Sequence, residues 1–82
     1  MTSEFLKNWV RAHFTRNWVW MRFVAASYAL GDGVKKNEQR ARKWYARAAK
    51  AGDLTSDFDL AMMLLNGEGG SIELEKGRAL LE

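Results

Sequence analysis

Between residues 38 and 50 the apolar side chains fall at Ala41, Trp44, Tyr45, Ala48 and Ala49, the i, i+3, i+4, i+7, i+8 spacing of one helical face. The positions between them are almost all charged. This pattern predicts an amphipathic helix, with Asn37 as its N-cap and Gly52 supplying the left-handed residue that ends it. Upstream, "SEFLKNWVRAHF" and "NWVWMRFVAASYAL" read as two helices with a break between Thr15 and Asn17. Downstream, Thr55 or Ser56 is the expected cap of a helix through "DFDLAMMLLN" that stops at Gly67. Ser71 is the expected cap of a last helix through "IELEKGRALLE", which carries an unfavourable Gly77. The chain thus predicts five helices joined by tight turns, an all-α fold.

The pattern repeats at an interval of 36 residues. Gly31 and Gly33 recur as Gly67 and Gly69, Ala25 as Ala61, Tyr28 as Leu64, Ala29 as Leu65, and Trp44-Tyr45 as Leu80-Leu81. Backwards, Trp9 aligns with Tyr45 and Ala12 with Ala48. Apart from Ala29 and Leu65, small residues map onto small ones and large apolar residues onto large ones. The expected architecture is an α-α superhelix of about two helix-turn-helix units. Residues 1–19 form a diverged leading helix, 20–52 the first unit and 53–82 a truncated second unit. The glycine pairs let the chain reverse between antiparallel helices, the alanines let helices approach, and Trp44 and Tyr45 fill the space between units that cannot cover their own apolar faces.

Composition narrows the chemistry. The 82 residues contain no cysteine, so disulfides, thiolate ligands and thiol nucleophiles are excluded. His13 is the single histidine and has no set of partners for a metal site or a triad. Asp57 and Asp59 are two apart on a helix and point in different directions, so they do not form an acid–base pair. The Gly-x-Gly turns lack the preceding strand and spacing of a phosphate-binding loop. No catalytic residue, cofactor or metal is expected. The apolar runs are broken by Arg11, Arg16 and Arg22, short of a membrane span. The start of the chain lacks the pattern of a secretory leader, so the cytoplasm is the expected location.

The charge is unevenly placed. Residues 1–30 carry net +3, residues 31–52 net +5 and residues 53–82 net −5. Such a chain can attract its own copies head to tail, or present its basic half to an acidic partner. The predicted second helix has only Asn17, Arg22 and Ser27 as polar residues, the composition of a buried helix or of one that carries an interface. Trp18, Trp20, Arg22 and Phe23 are therefore candidate partner-binding residues, being of the types that carry interface energy. On the fourth helix, Phe58, Met62 and Leu65 form a stripe separate from Leu60, Ala61 and Leu64, and are candidates to floor an apolar groove for an amphipathic helix or a second protomer.

The stretch "LGDGVKKNEQRARKWYARAAKAGD" resembles the Sel-one-like repeat, a relative of the tetratricopeptide repeat. Tyr28, Gly31, Gly33, Val34, Ala41, Trp44, Tyr45, Ala48, Ala49 and Gly52 stand in its pattern, and Ser56, Leu60, Ala61, Leu64, Gly67 and Gly69 follow it in the second unit. Gly70 replaces the usual valine, and Gly77 sits where alanine is expected. The resemblance implies a non-enzymatic adaptor, usually bacterial, whose concave surface meets a protein or peptide. It also implies fewer units than the three or so that a solenoid usually needs, and hence a homo-oligomer. Two other readings stand beside it. Lys35, Lys36, Arg40, Arg42, Lys43, Arg47 and Lys50 could bind nucleic acid or another polyanion, although no exposed aromatic interleaves with them. A repeat fragment or engineered scaffold without a native ligand would have the same sequence features.

Overall fold

The computed structural model describes all 82 residues as five α-helices: α1 (Ser3–Phe14), α2 (Trp18–Leu30), α3 (Glu38–Lys50), α4 (Leu54–Asn66) and α5 (Leu74–Leu81). Each packs chiefly on its neighbours in the chain, giving a slab of 37 × 24 × 14 Å. The core runs through the middle of this stack, with Phe5 and Ala12 from α1, Val24, Ala25 and Tyr28 from α2, and Ala41, Trp44 and Tyr45 from α3. Met63 of α4 closes it. The apolar stripe that defines α3 in the sequence is thus the face that holds the units together.

Helix ends follow local chemistry, in part differently from expectation. The Asn37 side chain accepts from the Arg40 N–H at 3.0 Å, as its sequence position predicts. Neither Thr55 nor Ser56 caps α4; Asp53 does, accepting from the Thr55 N–H at 3.3 Å. Ser56 is instead buried one turn in, and its hydroxyl donates to the same carboxylate at 2.6 Å. Ser71 does not cap α5, which begins at Leu74 with no side-chain cap at Glu73. The chain there stays extended past Ser71 because its backbone is engaged elsewhere: the Glu73 N–H donates to the Leu64 carbonyl at 2.8 Å.

That last bond has a counterpart 36 residues earlier, from the Asn37 N–H to the Tyr28 carbonyl at 2.9 Å. Likewise Asp32 N–H donates to the Ser27 carbonyl at 2.9 Å, and Glu68 N–H to the Met63 carbonyl at 3.0 Å. The two inter-helix turns are therefore the same backbone object. At the outer bend, Gly33 and Gly69 have φ of 75° and 72°, and both are approached by the start of another helix. The Thr2 N–H donates to the Gly33 carbonyl at 2.7 Å, while the Glu38 carbonyl lies against Gly69. A β-carbon at Gly69 would collide with the Glu38 main chain, and one at Gly33 with the Thr2 side-chain hydroxyl. Residues 2 and 38 are themselves 36 apart, so α1 stands to the first unit as α3 stands to the second. The leading helix has diverged in its side chains but not in its place.

Candidate functional site

The two helices proposed to carry partner contacts, α2 and α4, lie on one side of α3. From α2, the Arg22 guanidinium reaches across to the Asp53 carboxylate at 3.4 Å and lies over the Trp18 ring at 5.2 Å. Asp53 is only 3% exposed and has three partners in Arg22, Thr55 and Ser56. This knot joins α2 to the start of α4. Asp59 sits nearly two turns further on. Burial raises its pKa above the usual carboxylate range, the Asp53 charge adds to that, and Arg22 partly opposes it. The Tyr45 phenol is likewise pushed up by burial and then by Asp59. Tyr45, Asp59, Met62, Met63 and Ala29 edge a hollow of about 240 Å³ between α2 and α4.

Beside this hollow, Phe58 and Met62 project from adjacent turns of α4 and are 56% and 37% exposed. They form one apolar step, and Met62 shares the hollow with Asp59. Leu65, expected in the same stripe, does not join it. It packs against Gly77 of α5, so its side chain belongs to the α4–α5 seam. The i+7 position lies only about 20° round α4 from Phe58, but two turns further along, where α5 packs against the helix.

The candidate residues of α2 divide between two neighbours. Trp20 packs against the core and lies beneath the Arg11 guanidinium of α1 at 4.6 Å, while Phe23 is exposed with its ring 5.9 Å from that of Trp20. Both edge a hollow of about 320 Å³ shared with Glu4, Asn8, Ser27 and Leu30. The structure therefore brings Trp18 and Arg22 together, and Trp20 and Phe23 together, but on separate patches.

Two further apolar surfaces lie outside the candidate residues. Leu6, Val10 and Phe14 form an exposed stripe along α1, legible in their i, i+4, i+8 spacing. A cleft of about 760 Å³ also opens between α3 and α5, floored by Leu60 and Leu64 of α4. Its signal was present in the internal repeat. Where the first unit has Tyr28 and Trp44, the second has Leu64 and Leu80, and Val10 and Lys43 correspond to Ala46 and Ala79. Arg42 bridges one end: its guanidinium donates to the Glu73 carboxylate at 2.8 Å and to the Ser71 and Glu68 carbonyls at 3.0 and 3.3 Å. Gly70 leaves room for it, since a β-carbon there would lie 2.6 Å from Arg42 Nη1.

No group of three or more metal-ligating side chains converges anywhere in the molecule, and no helix is long and apolar enough to cross a membrane. No curated protein sequence matches the chain. Among solved structures it is similar to the crystal structure of a Sel1 repeat protein from Oxalobacter formigenes, with 32% sequence identity and a TM-score of 0.77. That match covers 80% of this chain and 27% of the other, so the chain spans about a quarter of that protein's length. The family model for the Sel1 repeat matches twice, at residues 21–53 and 56–82, in the register of the two backbone turns. The chain belongs to the Sel1 repeat family.

Proposed function

We propose that this chain is a protein-binding module whose contact surface is the α2–α4 face, centred on Phe58 and Met62 and edged by Trp18 and Arg22. Sel1 repeats generally act as protein–protein interaction modules rather than catalysts. The observation that carries the reading for this chain is the exposed Phe58–Met62 step on a helix whose opposite side is fixed in the stack. A rigid apolar step of this kind costs little to order on binding. Of the patches on α2, Trp18–Arg22 adjoins it through the Arg22–Asp53 bridge, while Trp20 and Phe23 serve the α1 side.

Nucleic acid is the weaker partner class. Arg42 is turned inward onto Glu73, Arg47 covers Trp44, Arg40 covers Tyr28 and Lys36 is paired with Glu38. Lys35, Lys43 and Lys50 stay exposed, but no exposed aromatic lies among these cations to stack a base. Self-association forms part of the proposal and is supported by the Leu6–Val10–Phe14 stripe, with Phe14 76% exposed. Light scattering over a wide concentration range tests it: mass rising above that of the 9.4 kDa monomer supports it, and a constant monomer overturns it.

Selection of peptides from a random display library on the immobilised chain tests the binding reading. Selected peptides should lose about tenfold or more in affinity for Phe58→Ala/Met62→Ala, with helicity unchanged and little dependence on salt. Peptides indifferent to that variant would place function elsewhere. Steep salt dependence would point to a polyanion site.

A further inference from the structure

We propose that the cleft between α3 and α5 is a second binding site, for a peptide segment in which an aromatic side chain is flanked by carboxylates. The cleft lies on the other side of α4 from the α2–α4 face. In its floor, Leu60 is two residues from both Phe58 and Met62, and Leu64 is two residues from Met62, a separation of about 200° round the helix. It can therefore succeed or fail independently of the reading above.

The first unit shows what this geometry accepts. At the positions of Leu64 and Leu80 it holds the rings of Tyr28 and Trp44, both buried. The second unit keeps the same backbone turn but supplies leucines, and Ala46 and Ala79 line the facing walls. What the second unit lacks is aromatic volume. The opening of about 760 Å³ falls within the ~300–1,000 Å³ of ligand sites and holds more than one ring.

Charge selects the flanking residues. Three cations, Arg42, Lys43 and Lys76, line the cleft against a single carboxylate, Glu73. That carboxylate is already taken, by Arg42 at 2.8 Å and Lys76 at 3.9 Å. Lys43 has no anionic partner within ion-pair distance. An aromatic ring on the leucine floor would place acidic neighbours beside Lys43 and Lys76 at the rim. An aromatic residue with basic neighbours would be repelled.

The test uses a labelled pentapeptide, Asp-Glu-Trp-Glu-Asp, titrated with the full chain by fluorescence anisotropy. Saturable binding tighter than about 1 mM is expected, lost when alanine replaces the tryptophan. Leu80→Trp restores the residue type of the first unit and should weaken binding about tenfold or more, with helicity retained. No saturable binding, equal binding of the alanine peptide, or undiminished binding to a helical Leu80→Trp variant overturns the proposal. If that variant loses helicity, Lys43→Glu/Lys76→Glu on the exposed rim decides: weakening of about tenfold supports the site, and unchanged affinity overturns it. Phe58→Ala/Met62→Ala separates the two surfaces. The cleft predicts no effect on the pentapeptide, and loss of binding in that variant with Leu80→Trp unaffected would move the peptide to the α2–α4 face.

Discussion

A methyl group on Gly77 would lie 2.8 Å from both Cγ and Cδ2 of Leu65 and 3.2 Å from the Ala61 carbonyl oxygen. The glycine that weakens α5 as an isolated helix is the residue that lets α5 dock. The first unit solves the same contact with Ala29 and Ala41, the residues 36 positions earlier. One enlargement and one reduction have offset each other.

Gly77→Ala should therefore destabilise the protein. Helix propensity favours alanine by about 1 kcal/mol, but overpacking against a buried seam costs about 1–3 kcal/mol. A net loss of about 1 kcal/mol is expected in urea denaturation. The double variant Leu65→Ala/Gly77→Ala, which reproduces the first unit, should recover much of that loss. Additive effects of the two changes would show that the residues do not constrain each other.

Arg42 should hold α5 to the rest of the molecule. Its side chain is 12% exposed and meets one carboxylate and two carbonyls from the α4–α5 connection. Arg42→Ala leaves those acceptors unpaired and should cost about 2 kcal/mol. Hydrogen exchange should show the loss first in residues 67–82. Arg42→Lys should recover little, because one ammonium cannot reproduce the planar fork.

Asp59 gives the fold a pH dependence of definite sign. Its pKa is raised by burial and by Asp53, so the folded state holds its proton more tightly than the unfolded chain does. Stability from this group is highest below the unfolded pKa, falls as pH rises through the folded pKa, and is constant above it. Asp59→Asn should raise the denaturation midpoint at pH 7 and flatten that decline. It should also lower the titration midpoint of Tyr45, which Asp59 helps to raise.

Arg16 occupies the left-handed region with φ of 58° in the turn between α1 and α2, the only residue other than glycine to do so. Such a conformation costs an ordinary side chain about 1 kcal/mol. Arg16→Gly should be neutral to stabilising by up to about 1 kcal/mol, whereas a bulky β-branched residue should destabilise. Thermal melts of the two variants distinguish the effect from loss of the charge.

What could be read in the sequence was what repeats. The alanine and aromatic positions of α3, the break at Thr15 to Asn17 and the paired glycines all emerge from periodicity, because the same backbone contacts recur. What could not be read was where a repeat compensates for its own substitutions. Gly77 looks like a defect until Leu65 is beside it, and Gly70 until Arg42 is. Asp53, Thr55 and Ser56 stand equally well in sequence as caps of α4; only the burial of Ser56 onto the Asp53 carboxylate decides between them. Leu65 followed the helical spacing of Phe58 and Met62, yet its surroundings are set by α5, which no spacing within α4 can reveal.

The seam at Gly33 and Gly69 sets a bend of one unit against the start of another helix, through a main-chain hydrogen bond from Thr2 at Gly33 and close main-chain contact with Glu38 at Gly69. Length is consequently an adjustable property of this molecule. A further 36-residue block that keeps the two bends could be spliced between neighbouring units and would find its docking surface already cut. Selection is then free to alter cleft, rim and exposed step in one block while leaving the joints of the others untouched.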